Sequence, residues 1–99
     1  MAEEKRSSER KTVNLVVKWE SLSGSYEAKL EDISLSGCFI NTTGLTLVNE
    51  VIKLEVLLPS GEWLALNGRV TTYQPGIGFG VVFSSLTEEQ TKAVKKLCS

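Results

Sequence analysis

Histidine is absent from the 99-residue sequence. Its absence removes imidazole-based serine and cysteine triads, imidazole-ligated zinc and the side chain that most often acts as a general base near neutral pH. Cysteine is scarce: Cys38 and Cys98 are the only two. They are too few for a four-thiolate metal site and too far apart in sequence to suggest a disulfide framework, so both are expected as reduced, buried or half-buried small apolar side chains. An excess of one charge is also missing. Eleven basic and twelve acidic residues leave a net charge of −1 and an isoelectric point near 5.5, so no basic field draws in DNA or RNA. No apolar run approaches the ~20 residues of a membrane span, and the start, Met1-Ala2-Glu3-Glu4-Lys5-Arg6, carries charge in place of an apolar leader. A cytoplasmic protein with no membrane insertion is the expectation. No Gly-x-x-x-x-Gly-Lys-[Ser/Thr] phosphate loop occurs. Gly76-Ile77-Gly78-Phe79-Gly80 runs into the strand-like Val81-Val82-Phe83, whereas a dinucleotide loop must open a helix. With no nucleophile paired to a base, no cofactor motif and no metal-ligand set, the chain does not read as an enzyme.

What is present describes one domain, with 41% hydrophobic residues, enough to build a core without staples. Residues 1–11 hold one sizeable apolar side chain, Met1, among Glu, Lys, Arg and Ser, and read as a flexible arm. From Thr12 the period becomes two. Val13, Leu15, Val17 and Trp19 alternate with Asn14, Val16, Lys18 and Glu20, and after a turn at Ser21–Ser25, Tyr26, Ala28 and Leu30 alternate with charged residues, which predicts a hairpin. Cys38-Phe39-Ile40, Val51–Leu58, Trp63–Tyr73 and Ile77–Phe83 supply four further strands. The third of these runs through Asn67-Gly68, a dipeptide that also suits a hairpin turn, but splitting there would leave two very short strands. Trp19, Trp63 and Tyr73 are expected to pack in or against the core.

The last segment changes to a helical period, with Ala93, Val94, Leu97 and Cys98 on one face. Thr87 and Gln90 form a capping-box pattern, Glu88 and Glu89 follow the cap, and Lys92, Lys95 and Lys96 stand toward the end. Six antiparallel strands followed by one helix fit an all-β barrel or sandwich over residues 12–99.

Two polar clusters carry candidate chemistry. Arg6-Ser7-Ser8-Glu9-Arg10 lies on the arm, and Asp32-Ile33-Ser34-Leu35-Ser36-Gly37 ends the second strand. Alone, the first is a solvated charged tail and the second a turn in which Asp and Ser bond local backbone and Gly supplies any positive φ. Together they resemble the two-part signature of the PilZ family, Arg-x-x-x-Arg followed about twenty residues later by [Asp/Asn]-x-Ser-x-x-Gly. Gly68-Arg69-Val70 and Gly78-Phe79-Gly80-Val81-Val82-Phe83 extend the likeness over nearly the whole chain. The resemblance implies a small six-stranded antiparallel β-barrel with one C-terminal helix, cyclic di-GMP as ligand, and a protein effector as partner.

The residue chemistry suits that ligand. Arginine can grip a phosphate, stack on a purine or engage guanine O6 and N7 with two donors, while an ionised Asp accepts from guanine N1–H and N2–H₂. By resemblance Arg6 and Arg10 contact the ligand, Asp32 and Ser34 read a base edge, and Gly37 lets the backbone pass close beneath it. Lys5, ahead of the first arginine, and Ser36 are secondary candidates. Bridging arm and barrel, the ligand would order the arm and so alter partner binding. The competing expectation is a degenerate PilZ-like interaction module that binds no nucleotide.

Overall fold

A computed structural model of the chain describes residues 10–22 and 24–99. Six strands, β1 (Lys11–Ser21), β2 (Gly24–Ile33), β3 (Gly37–Asn41), β4 (Val51–Leu57), β5 (Trp63–Gln74) and β6 (Gly78–Phe83), precede one helix, α1 (Glu88–Cys98). Every pairing is antiparallel, and the order β1-β2-β3-β6-β5-β4 closes on itself through β4 and β1. The barrel is the form that the resemblance implies. The sandwich, which periodicity alone allowed, is not formed.

Alternation sets the inside and outside. On β4, Ile52, Leu54 and Val56 point inward while Val51, Lys53 and Glu55 face out, as period-two packing requires. The β1–β2 hairpin is tighter than its sequence suggests: Ser21 already pairs with Gly24. β5 continues through Asn67-Gly68, which pair with Lys53 and Ile52, and its irregularity falls later, between Val70 and Thr72.

Inside the barrel Trp19 stacks on Tyr26 with ring centroids 4.4 Å apart and meets Phe79 edge-on at 4.9 Å. Leu30, Ile40, Leu66 and Val70 fill the remaining space. Each such fully buried side chain contributes about 1.5–3 kcal/mol. The Trp19 indole N–H has no acceptor among the described residues, a penalty that the aromatic packing around it offsets. Tyr73 is half-buried against the core, but Trp63 departs from expectation. It is 42% exposed on the outer wall, with the Lys18 ammonium 4.6 Å from its ring centre, an arrangement that keeps the indole edge in water and gains cation–π attraction.

Helix α1 begins with the expected capping box: Gln90 N donates to Thr87 Oγ1 at 3.1 Å and Thr87 N to Gln90 Oε1 at 2.8 Å. The Gln90 amide also donates to the Ala65 carbonyl at 2.7 Å, which docks the helix start on β5. Val94 is buried, and Leu97 and Cys98 pack against the core. At the far end Lys11 Nζ donates to the Ser99 carbonyl at 2.6 Å, and Cys98 Sγ lies 3.8 Å from the Ile33 carbonyl. No helix among the described residues is long and apolar enough to cross a membrane.

Candidate functional site

The site begins where β2 ends. Asp32 pairs with Thr12 on β1 and with Phe39 on β3, across an irregularity between Leu30 and Asp32, and its side chain faces outward. Arg10 directly precedes β1, and its Nε lies 2.9 Å from Asp32 Oδ1. Both side chains reach solvent, with 46% and 28% exposure, so the pair contributes at most about 1 kcal/mol to stability. It uses one guanidinium donor and one carboxylate oxygen, leaving further donors and lone pairs for a ligand. Arg10 and Lys11, read from sequence as part of the arm, are thus already seated on the barrel, and β1 starts at Lys11. Lys5 and Arg6 lie outside the described residues.

The second half of the motif is a turn closed from within. Ser34 N donates to the Gly37 carbonyl at 2.8 Å. Ser34 Oγ accepts from the backbone N–H groups of Ser36 and Gly37, both at 3.2 Å, and lies 3.2 Å from Ser36 Oγ. Ser34 is fully buried, so its hydroxyl is engaged by the turn and faces no solvent. Gly37 also differs from its expected part. Its φ is not among the positive values of the described residues, and a Cβ there would run into the Val81 carbonyl oxygen. The glycine allows β6 to approach β3, where Gly37 pairs with Val82. Phe83 N donates to the Ser36 carbonyl at 2.8 Å and fixes the turn to β6.

Register then carries the site around the barrel. Asp32, Phe39, Gly80 and Thr72 fall on one rung through successive pairings of β2, β3, β6 and β5. A shallow depression of about 370 Å³ opens on this outer face, with Arg10, Ser36, Phe39, Thr72, Gly80 and Val82 among the residues that line it. A Cβ on Gly80 would stand 2.8 Å from Thr72 Oγ1, so glycine keeps the depression open. Sequence reasoning did not select Phe39, Thr71, Thr72 or Val82, and it took the Gly80 segment only as strand. The outward parity of Phe39 between inward Cys38 and Ile40 was the available signal. Beneath the site burial pushes the Cys38 thiol far up, with the Asp32 carboxylate adding to that shift and Arg10 opposing it.

A PilZ domain model matches residues 4–99. The chain belongs to the PilZ domain family. Among solved structures, the PilZ domain of CeSA from a cellulose-synthesising bacterium has a TM-score of 0.74 at 20% identity, covering 92% of this chain and 95% of that one. The Bacillus subtilis inhibitor of motility MotI/DgrA has a TM-score of 0.78 at 17% identity, covering 95% of this chain and 49% of that one. The K. pneumonia MrkH–c-di-GMP complex has a TM-score of 0.68 at 14% identity, covering 91% of this chain and 49% of that one. The PilZ chain therefore spans about half the length of the last two. At these identities the likeness establishes the fold. No curated protein sequence matches the chain.

Proposed function

We propose that this PilZ domain is a receptor and adaptor module for cyclic di-GMP, acting in the cytoplasm of a bacterium without catalysing a reaction. The observation that carries the reading is the Arg10–Asp32 pair, 2.9 Å apart, whose arginine lines a depression on the barrel wall. It brings one arginine of the first motif onto the carboxylate of the second. Two solved relatives, MrkH of K. pneumonia and PlzA of Borreliella burgdorferi, are c-di-GMP complexes, which supports the choice of ligand.

In this reading Arg6 and Arg10 engage phosphate and guanine, and Asp32 accepts from a guanine N1–H and N2–H₂. Ser36, with Lys5, stands at the margin. Ser34 and Gly37 act one step back: they shape the turn that presents Asp32. Ligand held between the N-terminal motif and the barrel orders that segment and creates a surface that a protein effector recognises.

The test is isothermal titration with cyclic di-GMP, using GTP as the control nucleotide. Selective binding is expected, with Arg10→Ala weakening it about ten- to hundred-fold, the equivalent of about 1–3 kcal/mol, and Arg6→Ala/Arg10→Ala removing it. No heat from the unsubstituted protein would assign the domain to the ligand-independent class. Amide exchange over residues 6–11 checks the ordering separately: protection unchanged at saturating nucleotide would remove that step.

A further inference from the structure

Helix α1 and the β4–β5 turn enclose a groove remote in composition from the nucleotide site. It measures about 680 Å³, within the range of about 300–1,000 Å³ typical of ligand sites. Leu58 and Pro59 line one side, and Ala93 and Leu97 the other. Lys92 and Lys96 stand exposed along the helix rim. These helix residues are spaced i, i+1, i+4 and i+5, so one face of α1 carries both the apolar floor and the cationic rim. Among the described residues Glu62 is the single acidic one lining the groove.

We propose that this groove receives an acidic amphipathic segment of a protein partner, aliphatic side chains on Leu58, Pro59, Ala93 and Leu97 and carboxylates beside Lys92 and Lys96. Apolar anchors inside a charged rim are the requirements of helix-in-groove recognition, and rim charge steers encounter and selects the partner's sign. The occupant is a peptide and not a lipid surface. A membrane calls for a projecting apolar face and dense cationic charge, whereas this floor is concave and a carboxylate interrupts its rim. Another exposed apolar cluster, Leu22, Leu45, Leu47 and Val48, is flanked by Glu50, whose carboxylate is already bonded to Thr46 and to the Leu22 and Leu47 amides and so specifies no occupant.

The helix also ends against the nucleotide site. Its terminal turn is held by Lys11 and Ile33, the neighbours of Arg10 and Asp32. The groove therefore suits the effector surface of the adaptor reading, on which the inference rests for its expectation of a partner.

The experiment is nuclear magnetic resonance titration of the isotopically labelled full chain. The probe is a synthetic helical peptide with leucines at every third and fourth position flanked by glutamates; its control carries lysines instead. The acidic peptide is expected to bind at least ten-fold more tightly, shifting amides of Leu58, Glu62, Ala93 and Leu97. Lys92→Glu/Lys96→Glu should reverse the preference, and Lys92→Gln/Lys96→Gln should abolish it while leaving the fold unchanged. Equal binding of both peptides, shifts confined elsewhere, or no binding at millimolar peptide would overturn the proposal. So would vesicles of phosphatidylglycerol shifting the same amides when the peptide does not. Cyclic di-GMP added to the same sample reports separately at Arg10 and Asp32, so failure of the groove and failure of the nucleotide reading are distinguishable.

Discussion

Asp32 and Ser34 stand two residues apart in one motif, yet they occupy opposite environments. Asp32 faces solvent and holds Arg10 through an exposed ion pair, while Ser34 is fully buried and bonds only its own turn. The outer residue has spare acceptors and contributes little to stability. The inner residue has no exposed atom and contributes much. The motif thus divides into a solvent-facing part and a part that holds the first part still, and substitutions can separate them.

The largest effect should come from Gly37→Ala, because a Cβ at this position meets strand backbone at Val81, which cannot move aside as a side chain can. A loss of about 3 kcal/mol is expected, seen as a melting temperature lower by roughly 12–24 °C. An unchanged melt would mean the glycine serves the ligand alone. Ser34→Ala leaves the buried Gly37 N–H without its hydroxyl acceptor and should cost about 1–3 kcal/mol, measured by urea unfolding. Asp32→Ala removes only an exposed pair, so stability should change by less than about 1 kcal/mol while nucleotide binding is lost. A large stability loss in that variant would break the division between outer and inner residues.

The smallest effect sharpens the same contrast at another polar hub. Glu50 accepts from Thr46 Oγ1 at 2.9 Å and from the backbone N–H groups of Leu47 and Leu22, each at 3.2 Å. These bonds, led by that from Thr46, hold its carboxyl below the ordinary value of 4.5 against a smaller opposing effect of desolvation. Because the folded-state value is depressed, the contribution is complete above the unfolded value and fades as pH falls through the folded one. Glu50→Gln should therefore narrow the stability difference between pH 7 and pH 3, by well under the Ser34→Ala effect. A comparison of thermal melts at the two pH values checks it.

Much of the fold was legible because the alternation from Val13 to Trp19 and the Thr87–Gln90 capping box are both local signals. The Arg10 and Asp32 candidates were legible as paired motifs. The duties of Ser34 and Gly37 were not, since they depend on Val81 and Phe83 arriving from β6, far along the chain. For the same reason Phe39, Gly80 and Thr72 join Asp32 on one rung only after three pairings are fixed. Trp63 was misplaced because hydrophobicity alone gives no notice of Lys18 reaching its ring from β1, across the intervening β4.

Closure of the barrel has a consequence for how anything can be recruited. Among the described residues each strand has a hydrogen-bonded neighbour on both sides over part of its length, so no strand offers a whole free edge to an incoming chain. The usual route to strand exchange and fibre growth is narrowed as well. A chain docking on this barrel would therefore meet mainly side chains, and the exposed Leu22, Leu45 and Leu47 stand beside backbone that is largely paired.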